Sequence, residues 1–106
     1  MAERVERNGD SELRVETITV TDEYSRVRIA LNGINRVSLN RVSTTLYHVL
    51  SGTGIMNVNG VVGELYPGTI VEVPPNTPYF DVSDDILEMD AVSIPPFDPA
   101  DVEYLD

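Results

Sequence analysis

The 106-residue sequence predicts an all-β fold, and three observations carry that reading. Short runs rich in valine, isoleucine, threonine and tyrosine alternate apolar with polar residues, the period of a strand with one buried face. Turn-forming residues separate these runs at intervals of about 8 to 10 residues, the spacing found in a β-sandwich or barrel. No segment sustains a helical period.

The elements follow in chain order. Residues 1 to 12 mix charge with little apolar content and are expected to form a flexible N-terminal arm. Strands are then read in LRVETITV, SRVRIAL, INRVSLNRV, TLYHVL, IMNV, VVGEL, TIVEVP, YFDVS and ILEMDAVSI. Between them Asn32-Gly33, Ser51-Gly52, Asn59-Gly60, Pro67-Gly68, the PPNTP run at 74 to 78 and Asp84-Asp85 supply positive φ, fixed φ or local hydrogen bonds. Asn59-Gly60 is the clearest hairpin signal, because a type I′ turn needs positive φ at both central positions. In IPPFDPADVEYLD the prolines stop the last strand. Residues 95 to 106 are therefore expected to run as an extended C-terminal tail covering a barrel edge or a neighbouring subunit, with Phe97 docked. The chain is read as one domain over 1 to 106.

Charge narrows the partners. Eighteen acidic residues against seven basic ones, all arginine, give a net charge of −11. Such a surface repels phosphate backbones and anionic headgroups, so neither nucleic acid nor membrane is expected as a partner. No apolar run reaches the roughly 18 residues of a membrane span, and the charged N-terminus lacks a secretory signal, so a cytoplasmic location is expected. The absence of cysteine excludes disulfides and thiolate metal sites.

Two motifs in residues 33 to 83 resemble those of the cupin superfamily. The first runs from a glycine through a His-x-His pair and a glutamate to a second glycine. With that last glycine at Gly52, the glutamate position is Thr45, the histidine positions are Ser38 and Asn40, and the leading glycine is Gly33. The second motif falls on Gly68, Pro74, Asn76, Tyr79 and Ser83. The resemblance implies a small cupin double-stranded β-helix, or jelly-roll barrel, with the glycines and prolines in place. Asn76 stands where the family has glycine and is expected at positive φ, which asparagine tolerates well. All four metal-ligand positions depart from the pattern. Ser38, Asn40, Thr45 and Tyr79 offer hydroxyl and amide oxygens, weak ligands for a transition metal, so no metal or other cofactor is expected, with a divalent metal as the alternative.

Strand parity sorts the side chains further. If Thr45 faces inward, Tyr47 and Val49 do too, while Leu46, His48 and Leu50 face outward. The same parity groups Arg36, Ser38 and Asn40, and groups Tyr79, Asp81 and Ser83. Arg36, Ser38, Asn40, Thr45, Tyr47, Tyr79 and Asp81 are therefore the candidate binding residues, with Arg36 and Asp81 as a candidate internal pair. Their hydroxyls, amide and phenols suit a small polar ligand such as a sugar or hydroxy acid. Arg26 and Arg28 are expected to pair with nearby glutamates on the surface. An outer stripe of Leu46, His48 and Leu50, with Val37 and Leu39 beside it, is expected to bury itself in a homodimer.

The functional expectation is a protein that binds a small polar molecule without the usual metal, as a sensor or accessory factor. The alternative is an isomerase, epimerase or dioxygenase working through an unusual metal set or through acid/base residues, either Tyr79 with Asp81 or Tyr47 with Glu72, Glu88 or Asp90. A purely structural dimer module is the third reading.

Overall fold

The computed structural model describes residues 3–105 and contains ten strands joined by tight turns. They are β1 (Glu3–Asn8), β2 (Ser11–Val20), β3 (Ser25–Ile34), β4 (Ser38–Asn40), β5 (Thr44–Ser51), β6 (Gly54–Val58), β7 (Val61–Leu65), β8 (Ile70–Val73), β9 (Tyr79–Ile94) and β10 (Val102–Tyr104), with one 3-10 turn at Pro99–Asp101. No helix among the described residues is long and apolar enough to cross a membrane.

Every pairing is antiparallel, and all of them lead to β9. Its C-terminal half lies between β3 (Ile29↔Met89, Val27↔Ala91) and β5 (Tyr47↔Ala91, Thr45↔Ser93), with β2 and β1 beyond β3 and β8 beyond β5. The N-terminal half pairs with β6 (Met56↔Asp81) and touches β4 (Ser38↔Tyr79), which carries β10 on its other side. One strand thus belongs to two leaves of a curled sheet. Between the leaves Leu31, Val49, Met56, Leu65, Leu87 and Met89 are almost wholly buried, and removing each such side chain from water contributes roughly 1.5–3 kcal/mol.

The turns follow their residues. Asn59 and Gly60 have φ of 51° and 86°, both positive as a type I′ hairpin requires, and the Gly60 amide donates to Asn57 Oδ1 at 2.9 Å. Pro67 and Gly68 make a reverse turn closed by the Thr69 amide on the Tyr66 carbonyl at 3.0 Å, with Gly68 at φ 95°. Asn76 has φ 58°, the conformation expected of it.

Three local expectations are corrected. Residues 3 to 12, read as a loose arm, form β1 and the start of β2 around a two-residue turn with Gly9 at φ 61°. Polarity misled there because β1 is a solvated edge strand, held by ladder hydrogen bonds and by the cross-strand ion pair of Arg14 with Glu3 at 3.6 Å. Met1 and Ala2 lie outside the described residues. Asp84-Asp85 does not break the strand: β9 runs through it, with Thr53 Oγ1 donating to Asp84 Oδ2 at 2.7 Å and the Asp84 amide donating to the Thr53 carbonyl at 3.0 Å. Asn32-Gly33 likewise stays inside β3 as a bulge, where Gly33 takes φ 110°. The C-terminal segment does cover an edge, but as β10 on β4 and not only as extended chain.

Close packing of β6 against β9 yields a paired prediction. A Cβ at Gly54 would run into the Val82 carbonyl oxygen, whereas a Cβ at Gly63 on edge strand β7 would meet nothing within 4 Å. Gly54→Ala is expected to lower stability by about 1–3 kcal/mol in urea denaturation, and Gly63→Ala to change it by less than about 0.5 kcal/mol.

Candidate functional site

Between the two leaves lies a cavity whose space for the centres of water-sized spheres is about 90 Å³. One water needs only ~10–15 Å³ on that measure, so the barrel has room for a small molecule. Its floor is apolar, from Val27, Ile29, Met89 and Ala91. Its polar wall comes from strand ends: β4 supplies Ser38 and Asn40, β5 supplies Thr45 and Tyr47, and β9 supplies Tyr79, Asp81 and Ser93.

The phenols form the centre of this wall. Tyr47 Oη donates to Tyr79 Oη at 2.8 Å, and the rings meet at 45° with centroids 5.8 Å apart. Burial pushes both hydroxyls above the usual tyrosine range, Tyr47 further than Tyr79, so both are protonated donors at neutrality. Ser38 sits within hydrogen-bonding reach of Tyr79. Two residues on, and on the same face of β9, Asp81 is 2% exposed. Burial pushes its carboxyl up to about 6, against the opposing pull of Asn35, whose Nδ2 donates to Oδ1 at 3.0 Å. The Asn35 amide also donates to the Asp81 carbonyl at 2.9 Å, clamping the stretch after β3 to β9.

Several other polar groups are matched within the protein, while the buried Asn40 Nδ2 has no hydrogen-bond partner among the described residues. Thr45 Oγ1 and Ser93 Oγ lie 2.9 Å apart, and Ser43 Oγ donates to the Pro95 carbonyl at 2.7 Å. Asn40 Oδ1 accepts from the amides of Val42 and Ser43 at 2.9 and 2.8 Å, which fixes the turn into β5. Arg4 and Phe97 also border the cavity, the guanidinium 5.4 Å from the ring centroid. Arg4 pairs with Glu6 at 2.9 Å, and Glu6 accepts from Tyr104 Oη at 3.2 Å, so the first and last strands are clasped together.

Of the seven sequence-derived pocket residues, Ser38, Asn40, Thr45, Tyr47, Tyr79 and Asp81 all border this one cavity. Arg36 does not. It lies in the irregular stretch before β4, where strand parity fails, and its guanidinium packs over the Tyr104 ring at 4.0 Å. The partner of Asp81 is therefore Asn35. Of the carboxylates considered for Tyr47, Glu72 and Asp90 lie on the outer rows of the sheet, where Leu46 faces Glu72 and His48 faces Asp90, and Glu88 shares the Asp90 parity. Arg26 and Arg28 both bind Asp90 at 2.9 Å, and not glutamates; although partial burial pushes that carboxyl up, the two guanidiniums outweigh it and hold it below the usual range. His48 is exposed on that outer face. Leu39 borders the cavity and is no part of the outer stripe, because β4 pairs with β9 and β10 and never with β5.

Sequence reasoning missed Asn35, Ser93, Arg4 and Phe97 as wall residues. Parity along β9 places Ser93 with Ala91 and Asp81, and was the available signal; nothing local marks the other three.

The cupin arrangement of metal ligands does not fit these residues. Ser38, Asn40, Thr45 and Tyr79 are neutral oxygen donors already engaged as above, and no group of three or more His, Asp or Glu among the described residues could hold a metal ion.

No protein-family model and no curated protein matches the chain. Solved structures do. Pac13 from Streptomyces, described as a unique nucleoside dehydratase and solved with uridine, superposes with a TM-score of 0.81 and 22% identity, over 98% of this chain and 85% of that one. An RmlC-like cupin from Shewanella frigidimarina gives 0.75 and 23%, over 88% and 84%. KdgF from Halomonas sp. gives 0.77 and 15%, over 83% of each chain. The protein is thus an all-β cupin-fold protein, as its glycine and proline pattern implied.

The buried carboxyl has a measurable consequence. Asp81 holds its proton more tightly folded than unfolded, where aspartate titrates near ~3.9. Its contribution to stability is therefore full below that value and is lost as pH rises through about 6. Wild-type urea midpoints are expected to fall across this window relative to Asp81→Asn, leaving the variant more stable near neutrality by on the order of 2 kcal/mol. Parallel pH profiles would contradict the assignment.

Proposed function

We propose that this protein binds a small, neutral, hydroxyl-rich molecule inside the barrel, without a metal, in a sensing or accessory role. The observation that carries the reading is the cavity itself: about 90 Å³ of space bordered by two phenols, hydroxyls and a buried carboxyl over an apolar floor. Hydroxyl groups of a ligand can exchange hydrogen bonds with that wall while its carbon skeleton lies on Val27, Ile29 and Met89. Charge favours a sugar over a hydroxy acid. The chain carries −11, Asp81 places one of those negative charges at the cavity above about pH 6, and Arg4, the one cation bordering the cavity among the described residues, is already paired with Glu6. A ligand carboxylate would have to displace that pair. The uridine held by Pac13, itself neutral and hydroxylated, supports the same ligand class.

Two copies are proposed to pair through the outer face of β5, where Leu46 is half-buried and Ile70, opposite His48, is 67% exposed. Sedimentation at high concentration tests this, and a monomer would end it.

Binding is read directly by amide chemical shifts during titration with ribose, glucose and uridine. The account expects shifts confined to β4, β5 and the first half of β9, and Tyr79→Phe is expected to weaken affinity about tenfold, the worth of one good hydrogen bond. Shifts only on the outer face, or none, would refute it.

A further inference from the structure

The polar wall does more than offer hydrogen bonds, because its groups fall into one base and one acid facing a common space. Asp81 and Tyr79 project from the same face of β9, two residues apart, and both border the cavity. Asn35 fixes the carboxyl by Nδ2, and Tyr47 fixes Tyr79 by donating to its oxygen. A carboxyl almost fully removed from water without a cation beside it destabilises the fold, and its hydrogen bond to a neutral amide only partly offsets that cost. Nothing in the packing needs ionisable chemistry there; an asparagine could accept from Asn35 equally well.

Resting on the binding reading above, we infer that the barrel catalyses proton transfer on a neutral hydroxy-carbonyl compound, with Asp81 as base and the Tyr47–Tyr79 pair as acid. The Asp81 carboxylate takes the proton from the carbon beside the carbonyl. The C–H electron pair becomes the carbon–carbon double bond as the carbonyl π pair moves onto oxygen, which takes its proton from Tyr79. The phenolate left on Tyr79 is held by the hydrogen bond that Tyr47 already donates at 2.8 Å. Return of the Asp81 proton to the former carbonyl carbon, while the adjacent hydroxyl gives its proton back to Tyr79, yields the isomeric carbonyl compound. Both residues are restored, and no oxidant, reductant or second substrate is consumed.

The electrostatics suit the two roles. A carboxyl at about 6 is ionised at neutrality yet more basic than an ordinary aspartate, and the burial-raised phenols keep their protons. Among the described residues the titratable side chains bordering the cavity are Asp81, Tyr47, Tyr79 and Arg4, with Glu6 on Arg4, and of these Asp81 is the group that changes charge near neutral pH.

The test incubates the full chain in deuterium oxide with dihydroxyacetone, erythrulose and ribulose, following deuterium uptake beside the carbonyl by NMR, with amide shifts of the protein read in the same samples. Uptake above the buffer rate is expected for at least one compound, with kcat/KM rising through about pH 6 and then levelling. Asp81→Asn is expected to lose at least about a hundredfold while still showing the binding shifts, and Tyr79→Phe to lose about tenfold or more. Binding without uptake overturns the proton-transfer inference and leaves the binding reading intact. Uptake that survives in Asp81→Asn, or a wild-type rate flat across about pH 5 to 7, also overturns it. Absence of both binding and uptake removes both readings. The wild-type pH profile decides the matter even if a variant fails to fold.

Discussion

β9 is sixteen residues long and pairs along its length with β3, β5, β6 and β4, so a single continuous backbone ties the two leaves of the barrel. Each half of the strand presents alternate residues inward. The second half turns Leu87, Met89 and Ala91 into the core, and the first half turns Tyr79 and Asp81 toward the same interior. β9 therefore contributes to the apolar floor, which it shares with Val27 and Ile29 of β3, and to the polar wall, which it shares with β4 and β5.

That constraint explains why polar groups persist in the interior. The core residues beneath them are packed to near-zero exposure, which supplies the stability needed to hold a carboxyl and two phenols away from bulk water. The groups are matched to one another in small sets: tyrosine to tyrosine, asparagine to aspartate, threonine to serine. Each set joins residues far apart in sequence, so the wall forms only when the barrel closes. Burial then does the chemical work, raising the affinity of Asp81 for its proton while keeping the phenols in their donor state.

Much of this was legible in the sequence. Period-two runs and turn residues defined the class, and the positions of Gly52, Gly68 and Pro74 pointed to the cupin barrel. Parity from Thr45 placed Tyr47 inside and His48 outside, because β5 is regular along that stretch. Parity failed at Arg36 because the chain between β3 and β4 is not strand, and alternation has no meaning there. The N-terminal strand was hidden for a different reason: an edge strand wetted on one side needs little apolar content, so composition alone made it look loose. Ser93 was within reach of parity along β9, whereas Asn35 was not, because its role depends on a contact with Asp81, distant in sequence, which local patterning does not encode.

The account rests on Asp81 being a carboxyl lodged in the barrel interior and poised near neutrality. A carbon-13 NMR titration of the aspartate side-chain carboxyls, with Asp81 assigned by its loss in Asp81→Asn, measures this without knowledge of any ligand. A midpoint at about 6 is the predicted result. A midpoint at the ordinary aspartate value of about 3.9 would show a solvated carboxylate and contradict the account.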